Sequence, residues 1–207
     1  MATPESTERY AEERPEFREA GFYRAVQDLR VSSLGIGTYL GSLDEAADRN
    51  YTDALIAAGE SGINFFDAAI NYRHQRSERC IGAALKQLDR EQIVVCSKAG
   101  FLTPDAIPNG LGPDDVVAGM HSMAPHFLTD QIDRSRANLG VDTLDVFYLH
   151  NPETQLGFKS PEEFDNSIRR AFAQLEALVE EGKIRWYGAA TWDGFRMKGA
   201  LSLPHMV

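Results

Sequence analysis

Cysteine is scarce in this chain, with only Cys80 and Cys96 among 207 residues. Their spacing matches no disulfide framework, and two isolated thiols are more typical of a reducing compartment than of a secreted scaffold. We therefore expect both cysteines to be small buried residues and the protein to be cytoplasmic.

Basic clusters and long hydrophobic runs are absent from the sequence. Acidic residues outnumber Lys and Arg by 31 to 21, which gives a formal net charge of -10 and argues against a nucleic acid or an anionic membrane as the main partner. No apolar run approaches membrane-spanning length, and residues 1–20 are too charged for a secretory signal. The composition therefore favours a soluble protein.

Apolar residues are frequent enough, at 43%, for one domain with a sizeable core. From Leu34 onward, short apolar runs alternate with helical patterns. Strands are predicted at 34–40, 63–67, 93–98, 144–150 and 184–189. Helices are predicted at 44–60, 78–88, 129–139 and 161–181, with Ser77 and Thr129 as N-caps of the second and third. This alternation predicts parallel strands with right-handed crossovers, and so an α/β fold.

Two segments differ from this alternation. Residues 1–21 are rich in Glu, Arg and Pro without a clear period, so we expect a mobile or loosely docked arm before a single domain at 22–207. Residues 100–125 are rich in Gly and Pro and longer than most connections, which indicates a functional loop with an apolar mouth.

Polar residues mark the ends of the predicted strands. They are Thr38, Asp67, Lys98, His150 and Thr191, one for each strand in turn. In parallel α/β folds, and above all in (β/α)₈ barrels, the carboxyl ends of the strands build the active site. The pattern therefore favours a barrel of the (β/α)₈, or TIM, type with a site at this end.

An ion pair beside a phenol is the chemistry that these positions suggest. A buried ammonium at Lys98 needs a counter-charge, and Asp67 on the adjacent strand is the natural one. Tyr72 follows Asp67 by five residues. The ammonium should lower the pKa of this phenol from about 10 and make it a usable general acid.

His150 completes this interpretation, because its imidazole could hydrogen-bond a substrate oxygen while Tyr72 protonates it. Reduction at the neighbouring carbon then needs a hydride, and no side chain supplies one. A nicotinamide cofactor is therefore implied.

Six motifs carry a family resemblance, from Phe22 to Phe195. They are LGIGTY, GINFFDAAINY, RSERCIG, VVCSKAG, LGVDTLDVFYLHNPE and LVEEGKIRWYGAAT. As a set they resemble the aldo-keto reductase family, NADPH-preferring (β/α)₈ barrels that reduce aldehydes and ketones.

The resemblance implies roles for individual residues. The family's catalytic aspartate, tyrosine, lysine and histidine fall on Asp67, Tyr72, Lys98 and His150. Its cofactor contacts fall on Gly37, Thr38 and Asp67. The Ser-Asn pair that holds the nicotinamide carboxamide aligns with Ala190 and Thr191, which keeps a hydroxyl and loses an amide. NADPH is the expected cofactor, with NADH as an alternative, and no metal is expected.

The chain is shorter than a complete barrel of this family. A complete (β/α)₈ barrel has about 250 residues, whereas Val207 follows closely on the fifth predicted strand. The resemblance therefore implies a C-terminally truncated member, with about the first five β/α units. Either a missing C-terminal segment or a partner chain completes it, or it is an inactive module that binds cofactor or a partner chain without turnover.

A metal-dependent hydrolase is the rival enzyme class, with Asp67, His74, Cys96 and His150 as candidate ligands. The sequence has no H-x-H or H-E-x-x-H spacing to support it. His74, His121 and His126 are assigned no role and are expected in loops. Trp192 is more typical of packing than of ligand contact.

Overall fold

A computed structural model describes residues 1–192 of the chain. The strands in this part are β1 (Tyr23–Val26), β2 (Leu29–Ser32), β3 (Ile36–Gly37), β4 (Phe65–Asp67), β5 (Val94–Ala99), β6 (Leu144–His150) and β7 (Ile184–Ala190). The α-helices are α1 (Pro4–Glu12), α2 (Pro15–Glu19), α3 (Glu45–Glu60), α4 (Arg76–Leu85), α5 (Pro125–Leu139) and α6 (Pro161–Glu180). Short 3₁₀ helices follow β5 and β6, at Pro113–Asp115 and Pro152–Gly157. The last part of the predicted domain, residues 193–207, lies outside the described residues.

Strands β3 to β7 form one parallel sheet in sequence order, and a helix connects each strand to the next. This confirms the predicted α/β class of (β/α)₈ type with about five β/α units. Among residues 1–192, β3 and β7 are the edge strands of this sheet. In the register, Asp67 is opposite Gly37 and Cys96, and His150 is opposite Ala190.

The main core lies between the outer face of this sheet and helices α3 to α6. Fully buried members include Phe66, Val95 and Phe147 from the strands, with Phe172 and Leu175 from α6. Alternation along each strand sends the neighbouring side chains to the opposite face. This opposite face is the inner face of the sheet, and the polar residues at the strand ends lie on it.

Two predicted helix caps are wrong. Helix α4 begins at Arg76 with Gln75 as its N-cap, and the Ser77 hydroxyl instead donates to the Thr38 carbonyl at 2.5 Å. Helix α5 begins four residues before Thr129, whose hydroxyl donates to the Pro125 carbonyl at 3.1 Å. Pro125 at the first helical position supplies the fixed φ that a start requires.

The N-terminal segment is docked, contrary to the expected mobile arm. Thr3 caps α1, and Tyr10 is buried with its hydroxyl donating to the Gly59 carbonyl. The backbone N–H of Ala2 donates to buried Asp145 at 2.7 Å. The sequence did not predict this helix, because too few of its residues are apolar to show a helical period.

The β1–β2 hairpin packs at the amino ends of the barrel strands. Leu29 and Val31 of this hairpin bury against Ala2 and Val94. The hairpin therefore covers the end of the barrel opposite the polar strand ends. Within the described residues, no helix has both the length and the apolarity needed to cross a membrane.

Candidate active site

The structure brings the four predicted catalytic residues together at the carboxyl ends of β4, β5 and β6. Lys98 Nζ lies 2.5 Å from Asp67 Oδ1 and 4.9 Å from the centroid of the Tyr72 ring. The Tyr72 and His150 rings are 5.5 Å apart, edge to face. Parallel strands place their carboxyl ends at one edge, which is why residues so distant in sequence meet here.

Lys98 is held as a buried cation. Its side chain is 8% exposed, and Nζ also donates to the Ala68 carbonyl at 2.7 Å. Burial lowers the pKa of this ammonium, but its acidic neighbours, Asp67 among them, raise it overall above the ordinary value. Lys98 is therefore charged at neutral pH.

Cys96 is a second hydrogen-bond donor to the Asp67 carboxylate. Burial raises the pKa of its thiol well above the usual value, and the Asp67 charge raises it further, so the thiol stays protonated. Its Sγ donates to Asp67 Oδ1 at 2.9 Å. Asp67 thus accepts from two buried donors, Lys98 and Cys96.

The protonation behaviour of Tyr72 differs from the expected one. Burial raises the pKa of this phenol above 10, and this effect exceeds the lowering by the Lys98 ammonium. The expected net lowering is therefore wrong for this structure. The reason is that the phenol is half-buried, with the Tyr39 ring packed against it at 4.9 Å between centroids. Tyr72 keeps its proton at neutral pH.

His150 is neutral at physiological pH. Burial lowers the pKa of its imidazole to about 4, and the nearby Lys98 charge acts in the same direction. In the described part of the chain, its buried Nδ1 has no hydrogen-bond partner. A neutral imidazole with no charge of its own can donate or accept a hydrogen bond at a substrate oxygen.

A second histidine, His121, lies behind His150, and its contacts are not predictable from the sequence pattern. His121 is fully buried, its Nε2 lies 2.8 Å from the His150 carbonyl, and its Nδ1 lies 3.0 Å from Gln155 Nε2. The Phe101 ring packs against both imidazoles. The only sequence signal was a histidine within an unusually long loop.

The segment after Tyr72 has an unusual backbone. Arg73, His74 and Gln75 have φ values of 49°, 51° and 67°, the left-handed region that is unfavourable for residues with a side chain. The Arg73 guanidinium, 1% exposed, donates to Asp48 at 2.6 Å and to the Ser42 carbonyl at 2.8 Å. These contacts fix the segment that carries Tyr72.

The residues predicted to bind cofactor lie on both sides of the four catalytic positions. Thr38 is fully buried, and its hydroxyl and N–H both donate to the Asp67 carbonyl, at 2.9 and 3.1 Å. Thr38 therefore holds the end of β4. Gly37 is exposed, and a Cβ built there would have nothing within 4 Å.

An open pocket of about 480 Å³ faces the strand ends. Its lining residues are Tyr72, Lys98, Tyr148, His150, Asn151, Ala189, Ala190, Thr191 and Trp192. Thr191 thus borders the same space as the catalytic residues, and the indole of Trp192 is 90% exposed at its edge. The space is large enough for a small planar ring together with a small carbonyl compound.

A metal-ligand set is not assembled within residues 1–192, where no three or more His, Cys, Asp or Glu side chains are placed to hold an ion. Two of the rival hydrolase's candidate ligands, Cys96 and Asp67, are instead joined by a hydrogen bond. Cys80 and Cys96 are free buried thiols.

Comparisons with known proteins agree with this geometry. Residues 33–203 match the model of the family described as aldo/keto reductase. An NADH-specific methylglyoxal reductase from Escherichia coli strain K12 is 31% identical over 176 residues, covering 80% of this chain and 50% of that protein. A D-threo-aldose 1-dehydrogenase from Pseudomonas sp is 31% identical over 175 residues, covering 79% and 51%.

The same result comes from solved structures. The holo form of an aldo-keto reductase from Bacillus halodurans superposes with a TM-score of 0.60 at 28% identity, covering 82% of this chain and 50% of that one. The chain therefore spans about half the length of the relatives it matches.

Proposed function

The chain belongs to the aldo/keto reductase family, and from this premise we propose that it reduces an aldehyde or ketone to an alcohol, with NADPH as hydride donor and Tyr72 as proton donor. The observation that carries the proposal is the Lys98–Asp67 ion pair, 2.5 Å long with its lysine buried, beside the Tyr72 ring and the neutral His150. This geometry is consistent with the roles that the family resemblance implies for these four residues.

Each residue has a distinct task in this proposal. The Tyr72 phenol, protonated at neutral pH, donates to the carbonyl oxygen as that oxygen gains negative charge. The Lys98 ammonium stabilises the phenolate that remains, and Asp67 and Cys96 keep that ammonium in place. His150 donates a second hydrogen bond to the substrate oxygen and orients it.

The nicotinamide end of the cofactor fits this site on two observations. Gly37 leaves open space on one side, and the pocket beside Thr191 and Ala190 has room for a ring. When bound, the cofactor supplies the hydride that no side chain can provide. We assign Gly37, Thr191 and, through its carboxylate near Lys98, Asp67 to this end, while Thr38 supports Asp67 from behind.

The substrate class is a small carbonyl compound. The relatives named above act, by their names, on methylglyoxal and on an aldose, so both compounds belong in the first assay. NADPH is the expected donor and NADH the alternative, because the named E. coli relative is NADH-specific. A cytoplasmic location stays a prediction.

Replacing Tyr72 by Phe tests the proposal. We expect carbonyl-dependent oxidation of NADPH to fall by at least about 100-fold, because only the proton donor is removed. The dissociation constant for NADPH should change less than about twofold.

Tyr23→Phe is the matched control, since its phenol donates to the Gly62 carbonyl at the far end of the strands. It should retain turnover. Undiminished turnover in Tyr72→Phe would contradict the assignment of the acid. Tight NADPH binding without any wild-type turnover would favour a cofactor-binding module instead.

A further inference from the structure

The tautomer of His121 is fixed by its two neighbours. A carbonyl oxygen can only accept, so the contact of 2.8 Å to the His150 carbonyl requires a proton on Nε2 of His121. The other nitrogen, Nδ1, then presents a lone pair to the Gln155 amide N–H at 3.0 Å. Burial lowers the pKa of His121, in agreement with a neutral ring.

The backbone at Gly100 packs closely against these contacts. A Cβ added to Gly100 would lie 2.5 Å from the His150 carbonyl oxygen and 2.6 Å from His121 Nε2. The Gly100 carbonyl accepts from the Ser122 N–H at 2.8 Å, which closes residues 100–122 into a loop. The His121 side chain therefore links this loop to the end of β6.

The Phe101 ring connects His121 to the catalytic imidazole. Its centroid lies 5.1 Å from that of His121 and 5.2 Å from that of His150, nearly perpendicular to both. Because the buried Nδ1 of His150 has no hydrogen-bond partner in the described residues, packing by Phe101 and Tyr72 has to orient the ring. The position of the His150 backbone then decides where its imidazole points.

We propose that His121 is a positioning residue: its Nε2–H holds the His150 carbonyl, its ring backs Phe101, and together these contacts aim the His150 imidazole at the substrate oxygen. The consequence for turnover rests on the proposed function. The geometric claim, that His121 sets the place of the His150 ring, does not depend on it.

Two substitutions of His121 test its N–H donor, because the imidazole is removed in both and a donor is kept in only one. His121→Gln keeps an N–H near the position of Nε2, whereas His121→Leu has a similar size and no donor. Both remove the imidazole, so any electrostatic effect of that ring on His150 is common to the pair. The titratable groups that face His150 are Lys98, Asp67, Tyr72 and His121 itself.

NMR of the histidine rings in the full chain is the primary readout, because it needs no activity. At neutral pH, the wild-type spectrum should show His121 with a proton on Nε2 and none on Nδ1. In His121→Leu, the pKa of His150 should rise from about 4 toward its ordinary value by at least about one unit, as water enters. In His121→Gln it should stay within about half a unit of the wild type.

Turnover is the second readout. His121→Leu should lower kcat by about 10- to 100-fold while KM for cofactor changes less than about twofold, and His121→Gln should recover to within about threefold of the wild type. If the wild type has no turnover, the proposed function fails and the NMR arm still decides the role of His121.

The proposal is overturned by an unshifted His150 ring in His121→Leu, by an equal shift in both variants, or by a proton on Nδ1 of His121. If His121→Leu does not fold, His121→Asn replaces it, since its shorter side chain cannot reach the His150 carbonyl from the same backbone position. An unchanged pKa of His150 in that variant would equally refute the role.

Discussion

The protonation states of single residues in the site follow from burial more than from charge. Burial raises the pKa of Tyr72 even though Lys98 is 4.9 Å from its ring, and it lowers the pKa of His150 to about 4. Both groups are therefore neutral at pH 7, one as an acid and one as a hydrogen-bond donor. Lys98 alone among these three carries a charge.

The buried neutral state of His150 predicts a pH dependence of stability. In the unfolded chain this histidine takes up a proton below about pH 6.5, whereas the folded chain resists protonation down to about pH 4. The unfolded state thus binds more protons in this window. His150 therefore makes its full contribution to the free energy of unfolding above pH 6.5. This contribution falls by about 3 kcal/mol as the pH drops to 4.

Urea denaturation at pH 7 and at steps down to pH 4 measures this effect. His150→Gln should flatten the decline, and His126→Gln, whose half-exposed ring is 3.7 Å from Asp115, should keep the wild-type slope. Equal slopes in His150→Gln and the wild type would show that His150 is not buried as a neutral group.

The sequence was informative about which residues meet and less so about their energetics. Asp67, Lys98 and His150 were predictable as neighbours because parallel strands put their carboxyl ends together. The pKa of Tyr72 was predicted in the wrong direction, since the outcome depends on how much water the surrounding rings exclude. His121 acts on His150 across 29 residues of chain, a contact that no local pattern records.

At the scale of elements, the β4–α4 connection combines a strained backbone with side-chain contacts that hold it. Three consecutive residues, Arg73 to Gln75, have left-handed backbone, which costs about 1–2 kcal/mol for each. The ion pair of buried Arg73 with Asp48 and the Gln75 contact with Asp105 at 2.9 Å offset this strain. The same segment carries Tyr72 on one side and begins α4 on the other.

Replacing Arg73 by Met should therefore lower the free energy of unfolding by about 2–3 kcal/mol, because Asp48 loses a buried partner and the strain is no longer offset. Arg169→Met is the matched control. Its ion pair with Asp165 has a similar length, 2.6 Å, but both side chains are nearly half exposed, so its loss should cost less than about 1 kcal/mol.

Chemical denaturation of the two variants beside the wild type gives the comparison. Similar losses in both would mean that Arg73 does not stabilise the connection. The backbone strain here was not predictable, because nothing in the letters RHQ signals positive φ. Helix α6 was predictable, since its apolar period is long and its ends carry Pro, Gly and a capping serine. The five strands were predictable in number and order, although the first, predicted at 34–40, is only Ile36–Gly37.

At the scale of the whole molecule, five parallel strands with their helices present the proposed active site at one end and a docked N-terminal segment at the other. The docking of α1 was not foreseen, because Tyr10 and Ala11 are too few to give a periodic pattern. The chain spans about half the length of its relatives, and the described half carries the proposed catalytic residues. We propose that this site promotes the transfer of hydride from NADPH to a carbonyl carbon.

Deuterium transfer tests that claim most directly. The 207-residue protein is incubated with a small aldehyde and NADPH that carries deuterium at both positions of nicotinamide C4, and the alcohol is analysed by mass spectrometry. We predict alcohol one mass unit heavier from the wild type and a loss of at least about 100-fold in Tyr72→Phe. Bound NADPH with no labelled alcohol would contradict the reductase assignment and leave a cofactor-binding module in its place.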